Sequence, residues 1–105
     1  MLFDPNDIVD DNSVVGAIVK QQIVLLQKCL KSQSKAVYFA AIENIRQASE
    51  NFGPALNKHL HIILPLVQKR QDLASNERIG MLRAALLEFG GTEAEKMLLV
   101  YPLKQ

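Results

Sequence analysis

Two histidines, His59 and His61, and one cysteine, Cys29, are the only imidazole and thiol groups in the chain. Metal or nucleophilic chemistry would have to start from them. Side chains two residues apart on a helix diverge by roughly 200°, whereas ligand pairs sit three or four apart on one face. The positions at that spacing from His59 and His61 hold Ile62, Ile63, Leu64 and Pro65. His59 therefore reads as a packed histidine beside an apolar stripe, and His61 as a surface residue. Cys29 lies between Lys28 and Leu30 in an apolar segment, the setting of a small core residue and not of an activated thiolate. Asp4, Asp7, Asp10 and Asp11 lack the Asp-x-Asp-x-Asp-Gly spacing and distal glutamate of a calcium loop. Their expected role is to favour the positive end of the helix that follows. Gly90 and Gly91 come after a helical segment instead of opening one, which suits a cap better than a phosphate cradle. No catalytic residue, metal or cofactor is implied.

The elements around these residues are all helical. Residues 1–12 form an acidic lead-in with Pro5, and residues 13–105 a single α-helical domain. Asn12 or Ser13 can cap a first helix reaching about Leu30, and Ser34 a second reaching Phe52. In the second, Tyr38, Ala41, Ile42, Ile45, Ala48 and Phe52 recur at helical spacing, with Glu43, Arg46, Gln47 and Glu50 on the other side. Gly53 supplies a residue suited to ending a helix, and Pro54 sits where a first-turn proline needs no amide hydrogen. The third helix, with Leu56, Leu60, Ile63, Leu64 and Val67, is expected to run to about Gln71 with a bend at Pro65. Ser75 caps a fourth, striped by Ile79, Leu82, Leu86 and Phe89 and ended by Gly90 and Gly91. Thr92 and Glu95 form a capping-box pattern opening a short fifth, which Pro102 stops. No sustained alternating run suggests a strand. The expected fold is all-α: about five helices in HEAT- or armadillo-like antiparallel hairpins, repeating at about 40 residues, with an ordinary five-helix bundle as the alternative.

The first helix is apolar over a wide arc, since Val14, Val15, Ile18, Val19, Ile23, Val24, Leu25 and Leu26 fill more than one face. Something is expected to cover it: further chain of a longer solenoid, or a second copy in a homodimer through Val14 to Leu30. On the third helix, Lys58, His61, Gln68 and Lys69 face away from the Leu60 and Val67 stripe and form a partly basic ridge, with Arg70 near its end. Such a ridge is either a solvated face or a docking surface for an acidic partner.

A chain of 105 residues makes one domain. Hydrophobic content of 49% with only 6% aromatic residues and no tryptophan fits aliphatic helix-on-helix packing and argues against a disordered tail. A formal net charge of +1 lacks the basic excess of a nucleic-acid binder. With no signal peptide, no membrane-length apolar run and a lone cysteine, the expected setting is cytoplasmic.

The order Val37, Tyr38, Ile42, Ile45, then Phe52, Gly53, Pro54, Ala55, Leu56, Asn57, then His59, Leu60 and Leu64, followed by Phe89, Gly90, Gly91 and Pro102, resembles the parkin co-regulated protein family, most closely its parkin co-regulated-like branch. The likeness spans Gln21 to Pro102. It implies a non-catalytic helical scaffold associated with microtubules, in the cytoskeleton of cilia or flagella, whose partners are tubulin or axonemal proteins.

Overall fold

The computed structural model describes residues 14–104. The acidic lead-in over residues 1–12 and the Asn12 or Ser13 cap lie outside them. The described residues are all-α: α1 (Val14–Leu30), α2 (Lys35–Phe52), a 3-10 segment (Gly53–His59), α3 (Leu60–Lys69), a 3-10 turn (Gln71–Leu73) and α4 (Asn76–Val100). About five α-helices were expected, and the departure has two local causes. The seven residues Gly53–His59, Pro54 among them, wind as 3-10 before α geometry begins. The expected fourth and fifth helices run together as α4, broken only at Gly91, whose φ of 68° and ψ of −148° are non-helical.

Side-chain spacing sets how each element packs. Along α1, Val19, Ile23, Leu26 and Leu30 fall on one face and are buried, together with Gly16. Ser34 caps α2, its hydroxyl accepting from the Val37 amide at 3.4 Å. The α2 stripe of Tyr38, Ala41, Ile42, Ile45 and Ala48 is fully inside, as is Ser49 beside it. Glu43 and Arg46 pair at 2.7 Å on the half-buried side of the helix. That bond holds the Glu43 carboxyl below its ordinary value. Pro65 lies inside α3 without ending it, and Leu60, Ile63, Leu64 and Val67 line its buried face. Ser75 caps α4 by accepting from the Arg78 amide at 3.1 Å, and Ile79, Leu82, Ala85 and Leu86 follow as its buried stripe. These stripes meet in one continuous aliphatic core.

α2 is the central element, with both α1 and α4 packed on it; α1 also packs on α3, and α4 also packs on the 53–59 segment. Two side chains of α2 receive cations from the following elements. The Arg70 guanidinium lies 4.8 Å from the centre of the Tyr38 ring, and the Arg78 guanidinium 4.7 Å from that of Phe39. Arg70 also donates to the carbonyl of Leu30 at 2.6 Å, satisfying one of the orphan carbonyls at the end of α1. The Tyr38 hydroxyl donates to the Val67 carbonyl at 2.9 Å. Tyr38 and Arg70 thus fasten α1, α2 and the end of α3 together.

Candidate interaction surface

The glycines of the two sequence motifs meet in space. Gly53 has a positive φ of 51°, and a Cβ there would lie 3.2 Å from the carbonyl oxygen of Phe89. Asn57 donates from Nδ2 to the carbonyl of Gly90 at 2.8 Å. A Cβ on Gly90 would fall 2.6 Å from the Ala94 Cβ and 2.7 Å from Asn57 Oδ1. The turn carrying Gly53, Pro54 and Asn57 therefore docks on the Phe89, Gly90, Gly91 break of α4. Gly90 is there because backbone and side chains approach too closely for any larger residue. Both motifs are accounted for by packing.

With the turn locked in this way, the 53–69 segment presents its polar side outward. Lys58, His61 and Lys69 are exposed, while Leu60, Ile63, Leu64 and Val67 are buried beneath them. From His61 to Lys69 the ridge runs about 12 Å along the helix axis. Gln68, the fourth residue assigned to the ridge, is half-buried and donates from Nε2 to the carbonyl of Pro102 at 3.2 Å. Gln71 accepts from the Lys104 amide at 2.7 Å. The C-terminal segment is thus pinned against the end of α3, with Leu103 buried, and Gln68 serves that attachment. Arg70, expected near the end of the ridge, turns inward to Tyr38 and Leu30 as described above. Nothing in the local sequence distinguishes Arg70 from Lys69; the difference comes from the aromatic ring and the free carbonyl that the fold sets beside Arg70. The basic character of the ridge rests on Lys58, His61 and Lys69.

His59 is buried at the end of the 3-10 segment, away from the exposed His61. Cys29 is half-buried against the core. Among the described residues no group of three or more His, Cys, Asp or Glu side chains could hold a metal ion, and no helix is long and apolar enough to cross a membrane. The described surface has further features. α1 leaves Val14, Ile18, Val24 and Leu25 exposed, and α4 leaves Leu99 and Val100 exposed at its far end. An open cleft beside Gly91 is lined by residues that include Leu87, Leu98, Leu99 and Pro102. The wide apolar arc of α1 was legible in the sequence; the cleft was not, because it depends on the break at Gly91 and the return of the C-terminal segment.

No protein-family model matches the chain, and no curated protein or solved structure shows significant similarity to it.

Proposed function

We propose that the chain is a non-catalytic protein-interaction scaffold, built from HEAT- or armadillo-like helical hairpins, that docks an acidic protein surface on the ridge of Lys58, His61 and Lys69. The observation that carries this reading is the exposure of Lys58, His61 and Lys69 on the outer side of a segment braced from beneath by Leu60, Ile63 and Val67. A rigid helical face with exposed cations suits steering toward an acidic partner. The resemblance to the parkin co-regulated family supplies the candidate for that partner: tubulin or an axonemal protein, in the cytoskeleton of a cilium or flagellum. The fold alone would name no partner. Co-sedimentation with microtubules at low and raised salt tests the proposal. It predicts pelleting that weakens as salt screens the contact, and it fails if the chain stays in the supernatant at both.

A second reading, a helical adaptor or homodimerising module with no tubulin role, draws on the exposed apolar face of α1, which a soluble domain seldom leaves in water.

A further inference from the structure

The C-terminal ends of α1 and α3 meet at a small cleft of about 200 Å³, lined by Leu30, Lys31, Leu66, Lys69 and Arg70. The lining holds three cations, two leucines and no carboxylate. Among the described residues, Lys31, Lys69 and Arg70 form no ion pair. The whole chain carries a net charge of only +1, so these positive charges are a local excess.

Cations at the end of a helix have an ordinary explanation, since its last carbonyls carry partial negative charge. At the end of α1 those carbonyls already have donors. The Gln27 carbonyl accepts from the Lys31 amide at 3.3 Å, that of Cys29 from the Ser32 amide at 3.1 Å, and that of Leu30 from the Arg70 guanidinium at 2.6 Å. Lys31 and Lys69 are exposed, and their ammonium groups are not needed to cap the helix. Arg70 is the fixed member of the cluster, held by the Tyr38 ring at 4.8 Å and by its bond to Leu30. That bond uses one of five N–H donors. A guanidinium already immobilised loses little further freedom on taking up an anion.

Volume and charge together select the ligand. The cleft is smaller than the roughly 300–1,000 Å³ of sites for drug-sized molecules, so it suits a small group. A carboxylate brings a single negative charge, whereas a phosphate monoester brings about 1.5 to 2 near neutral pH, with three acceptor oxygens. The second matches a guanidinium and two ammoniums better. We infer that the cleft between the ends of α1 and α3 seats a phosphate group on Lys31, Lys69 and Arg70, with Leu30 and Leu66 against any carbon arm that carries it. The group is a free phosphate ion or a phosphate monoester, and the chemistry of the seat is common to both. The seat shares Lys69 with the proposed docking ridge but requires neither an acidic protein nor tubulin.

The test is titration of the full chain with inorganic phosphate, phenyl phosphate and acetate at neutral pH and constant ionic strength, followed by amide-resolved NMR. Both phosphates should shift the amides of Leu30 to Ser32 and of Leu66 to Arg70 saturably. Acetate should bind about tenfold more weakly or worse. Lys31→Gln and Lys69→Gln, both at exposed positions, should each weaken phosphate binding about tenfold while leaving the melting temperature nearly unchanged. Lys20→Gln, at an exposed position of α1 about 15 Å along the helix from Leu30, should leave binding unaltered. Tighter binding of phenyl phosphate than of inorganic phosphate assigns the group to a monoester, and equal binding assigns it to the free ion; both uphold the seat. Absence of saturable shifts at these amides would overturn it. Equal weakening by Lys20→Gln and Lys31→Gln, the mark of a diffuse field, would do the same. Acetate binding as tightly as phosphate would overturn the choice of ligand. None of these outcomes depends on pelleting with microtubules, so the seat and the docking ridge stand or fall separately.

Discussion

Two glycines of α4 should respond in opposite ways to the same substitution. At Gly80 a Cβ would meet nothing within 4 Å. Replacing a glycine by alanine in a helix interior, where there is room, stabilises by about 0.5–1 kcal/mol through reduced freedom of the unfolded chain. Gly80→Ala should therefore raise the melting temperature by a few degrees. At Gly90 the same methyl would lie 2.6 Å from the Ala94 Cβ and 2.7 Å from Asn57 Oδ1. Alanine 94 has no rotamer by which to retreat, and Asn57 is held by its 2.8 Å bond to the Gly90 carbonyl. Overpacking costs about 1–3 kcal/mol, and loosening that bond costs about 1 kcal/mol more. The helix-propensity gain of about 1 kcal/mol offsets part of this. The net expectation is a loss of about 1–3 kcal/mol, or about 5–20 °C in melting temperature for a domain of this size. Urea unfolding of both variants, and of each in an Asn57→Ala background, provides the assay. The cost of Gly90→Ala should shrink in that background but not vanish, because the Ala94 contact persists, whereas the effect of Gly80→Ala should be unchanged. Stabilisation by both substitutions would refute the close docking of the 53–59 turn on the break of α4.

Three further outcomes follow from the core. Burial pushes the Tyr38 phenol from its ordinary 10.0 up to about 12, against a smaller opposite pull from Arg70; the unfolded chain therefore loses this proton first, and the stability present below pH 10 should decline between pH 10 and 12. Tyr38→Phe should flatten that alkaline decline in thermal melts and cost about 1 kcal/mol at neutral pH by removing the hydroxyl bond to the Val67 carbonyl, which keeps only the Arg70 amide at 3.2 Å. The Ser49 hydroxyl is buried without a hydrogen-bond partner, so Ser49→Ala should stabilise by about 1 kcal/mol in urea unfolding. Arg70→Ala removes both the ring contact and the bond to Leu30, and should destabilise by about 1–2 kcal/mol, whereas Lys69→Ala should leave the unfolding midpoint nearly unchanged.

The helices were legible because each declares itself by local rules. Ser34 and Ser75 cap where a hydroxyl precedes an apolar-periodic run, and the stripes of α2 and α4 bury the residues their spacing selects except the last of each, Phe52 and Phe89, which are half-buried. What was hidden depends on contacts between distant residues. Gly90 reads locally as a helix stop, yet part of its requirement comes from Asn57, 33 positions away. Arg70 reads as one more cation at the end of a basic ridge, yet a partner 40 positions away, the Leu30 carbonyl, draws it inward. The same blindness applies to Gln68, which the C-terminal segment engages from 34 positions away. Of the candidate ridge, the exposed positions Lys58, His61 and Lys69 followed from helical periodicity, because being opposite a buried stripe is a local property.

The ridge as a docking surface for an acidic partner is the central functional claim, and co-sedimentation of the unsubstituted chain beside a Lys58→Glu, Lys69→Glu double variant tests it most directly. The substitutions lie at exposed positions and should leave the melting temperature within a few degrees of the unsubstituted chain. The account predicts salt-sensitive pelleting with microtubules that the double variant loses. Equal pelleting of both proteins, or of neither, would contradict it.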